Sequence, residues 1–212
     1  MVLESLIGPK SAGKHPFRLF IIGLIYASVG VLLSIWIFRE QASLVMVFMI
    51  VMAAIPLLYK TMVREEKMDL KIKSEIGILK EHSKVLKFLI FLFLGITVGL
   101  SLWYIFLPEN LVGTVFRIQV DTINAINSRI QGDFIGGFDL FGKIFANNVK
   151  VLIFSILFAV FFGAGAIFIL TWNASVIAAA IGNFFRTNIS IYADAVGLSK
   201  VGGYFHIFSL SL

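Results

Sequence analysis

Uncharged apolar runs, closed at their ends by charge or proline, set the tightest limit on what this chain can fold into. Leu19 to Phe38 lies between Arg18 and Arg39, Ala42 to Tyr59 between Glu40 and Lys60, and Phe88 to Leu107 between Lys87 and Pro108. Each is close to the roughly 20 residues with which a helix crosses about 30 Å of hydrocarbon. A further run, Val151 to Phe185, follows Lys150 and carries no formal charge over roughly 35 residues, too long for one ordinary span and short for two full ones. Thr171-Trp172-Asn173 is the best place for it to break, because Asn173 can N-cap the alanine-rich segment Ala174 to Gly182. The expectation is one span from Val151 to about Leu170, then a shorter helix from Asn173 that either re-enters or makes an under-length crossing.

Composition supports lipid as the solvent of these runs. The apolar share is 59%, against about 45–50% in soluble domains even when glycine is counted, and the mean hydropathy is +0.96. Phe, at 22 residues against 5 Tyr and 3 Trp, is the aromatic with no hydrogen-bonding group to satisfy in hydrocarbon. The fold class expected is all-α: a polytopic transmembrane bundle of about five or six membrane helices, one of them short or re-entrant. The first run is too long for a signal-peptide core and has no small-residue cleavage site after it, so it is expected to remain as a membrane helix. Val201 to Leu212, interrupted by Gly202, Gly203 and His206, reads as a helix cut short or as a segment that docks without crossing.

The charge pattern gives an orientation. Lys10, Lys14 and Arg18 precede the first run, and Lys60, Arg64, Lys67, Lys71, Lys73, Lys80, Lys84 and Lys87 separate the second from the third. Both clusters belong in the cytoplasm by the positive-inside tendency, which accounts for the net charge of +6 without nucleic acid as a partner. The expected organisation is a cytoplasmic basic arm, 1–18, and a single membrane domain, 19–212, in the cell membrane. That domain has a charged cytoplasmic segment at 60–87 and an extracytoplasmic amphipathic segment at 109–148. The cytoplasmic segment alternates sign, as in Arg64-Glu65-Glu66-Lys67, and reads as a helical hairpin or helix extension that is either a solvated surface or a docking site. In the outer segment Phe116, Val120, Ile123, Ile126 and Ile130 follow helical spacing, with Arg117, Asp121, Asn124, Ser128 and Arg129 on other faces. Such a stripe packs on the bundle, lies in the interface plane, or presents Phe116, Ile123 and Ile130 to a partner.

Motifs for chemistry are sparse. Gly8-Pro9-Lys10-Ser11-Ala12-Gly13-Lys14 matches the opening of a phosphate-binding loop, but His15 stands where Ser or Thr must bind magnesium, and a membrane run follows instead of a strand–loop–helix unit. A flexible basic arm at the membrane surface is the better reading. His15, His82 and His206 are far apart and lack ligand partners at helical spacing, so no metal site is expected. His206, inside an apolar run, is a functional or packing candidate. With no cysteine, thiol chemistry, disulfides and iron–sulfur clusters are excluded. No carboxylate lies within the main runs, which disfavours ion-coupled transport. No cofactor is expected. Gly23 with Ala27, Gly95 with Gly99, Ala159 with Gly163, and Ala178 with Gly182 have the spacing of close helix packing, within the bundle or across a homo-oligomer seam.

The stretch from Phe145-Ala146-Asn147-Asn148 through Gly163-Ala164-Gly165 to Asn173-Ala174-Ser175-Val176-Ile177-Ala178-Ala179-Ala180-Ile181-Gly182 resembles the stage II sporulation protein M family, particularly its archaeal members. The resemblance implies a membrane scaffold that recruits other membrane or extracytoplasmic proteins, in sporulating bacteria cell-wall-degrading ones, without being the hydrolase itself. In an archaeal-type member the family name would describe ancestry more than activity. Ala174 stands where many relatives have Gly, and a His-Gly-x-x-Glu-like motif expected past the closing Ser-Leu is not within residues 1–212. The expected function is therefore a non-enzymatic membrane scaffold, with a channel or transporter built around a broken helix at Asn173 as the alternative. Asn147, Asn148, Gly163, Gly165, Asn173, Gly182 and His206 are the candidate functional or packing residues.

Overall fold

The computed structural model describes residues 16–69, 75–131, 141–142, 145–146, 148–153, 156–157 and 165–195. The helices among them are α1 (Pro16–Ile37), α2 (Ala42–Asp69), α3 (Glu75–Phe106), α4 (Glu109–Val115), α5 (Arg117–Gln131) and α6 (Gly165–Ala195), with a single 3₁₀ turn, Arg39–Gln41, between α1 and α2. Four stretches, Phe17–Ile37, Arg39–Val63, His82–Phe106 and Gly165–Ala193, are long and apolar enough to cross a membrane. The described residues thus hold four such helices where about five or six were expected. The arm before Pro16, Asn147, Gly163 and the segment Val201 to Leu212 with His206 lie outside the described residues.

The helices α1 to α3 divide their apolar residues between two solvents. On α3, Phe88, Leu92, Ile96, Leu100 and Tyr104 recur every fourth residue and are buried, while Leu86, Ile90, Leu94, Val98, Leu102 and Phe106 recur at the same interval and are exposed. On α1 the exposed set is Ile21, Ile25, Val29, Leu32 and Trp36, opposite buried Leu19, Ile22, Ala27 and Val31. Exposed rows of large apolar side chains along whole helices exceed what a water-facing surface carries, and lipid is the solvent that accepts them. α2 keeps its helix through Pro56, which removes one backbone donor, an interruption that membrane helices tolerate.

Small residues bring the helices together. A Cβ added to Gly23 would lie 2.5 Å from the Leu92 carbonyl oxygen, one at Gly99 would lie 2.9 Å from the Ala27 Cβ, and one at Gly95 would collide with the Phe20 carbonyl. Since Phe20 meets Gly95 and Ala27 meets Gly99, α1 and α3 run parallel with their backbones in contact. The expected pairs Gly23/Ala27 and Gly95/Gly99 therefore face one another within the chain. Gly30 does the same for α2, where a Cβ would sit 2.6 Å from Ile50 Cγ1. Trp103 Nε1 donates to Ser28 Oγ at 3.0 Å, and Ser28 Oγ donates to the Leu24 carbonyl at 2.9 Å, adding a polar tie to the α1–α3 seam.

The expected break at Thr171–Asn173 is corrected: α6 is one continuous helix from Gly165 to Ala195, and no helix begins at Asn173. Tertiary packing decides this. Ala174, Ser175, Ala178 and Ala179 are buried on one face of α6, which packs on α3, α2 and α5, and a break at Asn173 would disperse that face. The charged segment 60–87 holds extensions of the membrane helices, since α2 continues to Asp69 and α3 starts at Glu75.

Candidate functional site

α3 ends at Phe106, two residues before Pro108, and its final turn contains no basic residue. The last carbonyls of a helix have no partner of their own and carry the negative end of its dipole. Here the donor comes from another helix. Arg186 of α6 is fully buried, and its Nη1 donates to the carbonyls of Tyr104 at 3.2 Å, Ile105 at 3.4 Å and Leu107 at 2.6 Å. The Leu107 bond is short and charge-assisted, and the Ile105 contact is at the weak limit of hydrogen bonding. The guanidinium offers five fixed donors and keeps its charge at any ordinary pH, so it works as a permanent C-terminal cap.

The ground around the guanidinium is prepared one turn earlier. A Cβ on Gly182 would fall 2.6–2.7 Å from Cδ1, Cβ and Cγ of Tyr104, so the tyrosine ring lies directly on the α6 backbone. The other neighbour of that ring is Phe116, with centroids 5.0 Å apart and planes at 60°. Gly182, Tyr104 and Phe116 thus form a stack beside the cap. Phe116 links α4 to α5, its amide bonding the Val112 carbonyl at 3.0 Å and its carbonyl accepting from Val120 N at 2.9 Å.

A second polar cluster joins α2, α5 and α6. Gln119 is fully buried; its Oε1 accepts from Ser43 Oγ at 2.7 Å, and its Nε2 donates to Ser175 Oγ at 3.2 Å. Both serines are satisfied in turn. Ser43 Oγ accepts from the Ile118 amide at 3.2 Å, and Ser175 Oγ donates to the Trp172 carbonyl at 2.7 Å. This donor–acceptor order fixes which end of the Gln119 amide faces which helix. One turn before Ser175, Thr171 Oγ1 is buried without a hydrogen-bond partner.

The residues singled out from sequence fall differently. Gly182 takes the tight packing position against Tyr104, Gly165 is the first residue of α6, and Asn173 is half-buried in the middle of that helix. Asn148 is exposed on a short helical stretch. Of the three residues of the expected partner face, Phe116 is fully buried, Ile123 is half-buried against the core, and Ile130 lies in the last turn of α5. The stripe at Phe116 and Ile123 is therefore turned toward the bundle, because Tyr104 and its neighbours supply the apolar surface that it needs. Arg186 and Gln119 were missed. The signal for Gln119 was its position between Phe116 and Ile123, on the apolar stripe itself; for Arg186 it was the apolar pattern that resumes at Ile189 and Ile191.

The polar groups of this region hold helices together. Among the described residues no group of three or more His, Cys, Asp or Glu is placed to bind a metal ion. Set against protein-family models, curated proteins and solved structures, the chain has no significant match.

Proposed function

We propose that this chain is a non-enzymatic integral membrane scaffold of the stage II sporulation protein M type, set in the cell membrane with its N-terminal arm in the cytoplasm. The observation that carries this reading is the anchoring of α5 by a buried glutamine. Gln119 bonds to Ser43 of α2 and Ser175 of α6 and so fixes the register and rotation of the outer helix. The opposite face, with Arg117, Asp121 and Asn124, is exposed. A recruiting protein needs such a surface, held still on a rigid base. The partner face proposed is this polar one, since Phe116 and Ile123 are occupied by packing.

Orientation in this reading follows from charge. Arg18, Lys60, Lys84 and Lys87 lie at the end of the bundle where α1 and α3 begin and α2 leaves the apolar zone, which suits the cytoplasmic side. The 3₁₀ turn, α4 and the start of α5 are at the opposite end. The alternative, a channel or transporter, rested on a broken helix at Asn173, and α6 runs unbroken there.

The test is crosslinking in native membranes, comparing the wild-type chain with an Asp121→Lys/Asn124→Lys variant. A specific crosslinked protein that disappears in the variant, with thermal stability unchanged, supports the scaffold. Crosslinks that are identical in both, or solute flux through liposomes containing the chain alone, overturn it.

A further inference from the structure

At the end of the bundle opposite the lysine-rich segment, the 3₁₀ turn and the α4–α5 joint enclose an open cleft of about 710 Å³ lined by Arg39, Glu40, Gln41, Gly113, Thr114 and Arg117. Gly113 adds no bulk to the lining, for it is exposed and a Cβ built on it meets nothing within 4 Å. Both arginines are exposed, and among the described residues neither guanidinium makes an ion pair or a hydrogen bond, even with Glu40 lining the same cleft. The Thr114 hydroxyl already donates to the Asn110 carbonyl at 2.9 Å, so the donors left for a ligand are the two guanidiniums and the Gln41 amide. Guanidinium forks paired with an amide donor suit a phosphate oxyanion, because a phosphate accepts bidentate bonds from more than one side.

The surroundings set the depth. Trp36 is 81% exposed one turn before Arg39, with Ile37 and Phe38 exposed between them. A large exposed indole at the end of an apolar helix belongs at the headgroup level of a bilayer. From there the exposed α1 row of Trp36, Leu32 and Val29 runs down the helix as an apolar surface for acyl chains.

We infer that the Arg39–Arg117 cleft binds a phosphate group at the membrane surface, either the headgroup phosphate of an anionic phospholipid or free phosphate. Glu40 keeps the cleft only moderately cationic, so binding is reversible and sensitive to salt.

Native mass spectrometry on the full chain in detergent tests this, with phosphatidylglycerol added in one arm and inorganic phosphate competing in the other. The wild-type chain retains bound phosphatidylglycerol, and Arg39→Gln/Arg117→Gln lowers its affinity roughly tenfold or more, as loss of charge-assisted hydrogen bonds requires. Glu40→Gln strengthens it, and Arg18→Gln, at the far end of α1, leaves it unchanged. If inorganic phosphate binds the wild-type chain but not the double variant while the lipid does not bind, the phosphate chemistry stands and the source is the free ion. Equal retention of lipid and phosphate by the wild-type chain and the double variant, with equal thermal stability, overturns the site. So does loss on Arg18→Gln equal to that of the double variant.

Discussion

Arg186 is the residue with most at stake in this bundle. An ionisable side chain buried in a membrane bundle is costly unless it is paired, and Arg186 finds its partners in the carbonyls of Tyr104 and Leu107, where it caps the end of α3 that lacks a local cation. Arg186→Met leaves these acceptors without their donor, at a cost on the order of 1–3 kcal/mol. Arg186→Lys keeps the charge but not the planar fork. Unfolding midpoints in detergent should therefore rank wild type, Lys, Met, and a Met variant as stable as wild type would show the cap to be dispensable. Gln119 is expected to behave as a joint. A double-mutant cycle of Gln119→Leu with Ser175→Ala should give a coupling on the order of 0.6 kcal/mol and no more than about 1.7, the average and the maximum for polar contacts between membrane helices; additivity would mean the two do not share a bond. Neither residue was legible in the sequence, because Arg186 follows directly on an apolar run that ends at Phe185 and Gln119 lies between the charged Arg117 and Asp121. What made them important was a partner many residues away, Leu107 in one case and Ser43 in the other.

Helices were more legible than their partners. The charge-bounded runs placed α1, α2 and the apolar part of α3, because lipid imposes a length and excludes charge whatever the neighbours do. The spacing of Gly23, Gly95 and Gly99 marked surfaces for close contact, although spacing alone does not say that Gly95 meets Phe20. Gly95→Leu should separate α1 from α3 and lower the unfolding midpoint sharply, whereas Val98→Leu, on an exposed row, should have little effect. A Gly95→Leu variant with unchanged stability would deny the contact. The continuity of α6 was not legible. Asn173 has the local chemistry of a helix cap, but burial of Ala174, Ser175, Ala178 and Ala179 on one face outweighs that preference. Asn173→Ala should thus leave stability within about 0.5 kcal/mol of wild type or raise it slightly by helix propensity. A loss of more than about 1 kcal/mol, the usual cost of deleting a cap, would restore the break.

For the molecule as a whole, bilayer and core use the same residue types, and small residues with a few buried polar bonds decide which faces pair. α1 and α3 join through glycine contacts, while α6 is held by Arg186 at the end of α3 and by Gln119 beneath α5. The chain contains no cysteine, so single cysteines report position without background. The most direct measurement is labelling of Val98→Cys, Arg117→Cys and Lys84→Cys in sealed, right-side-out cells or vesicles with a membrane-impermeant maleimide. Labelling is expected at position 117 in intact membranes, at 84 only after the membrane is opened, and at 98 only after denaturation. Labelling at position 98 in intact membranes, as fast as at 117, would contradict the placement of these helices in lipid.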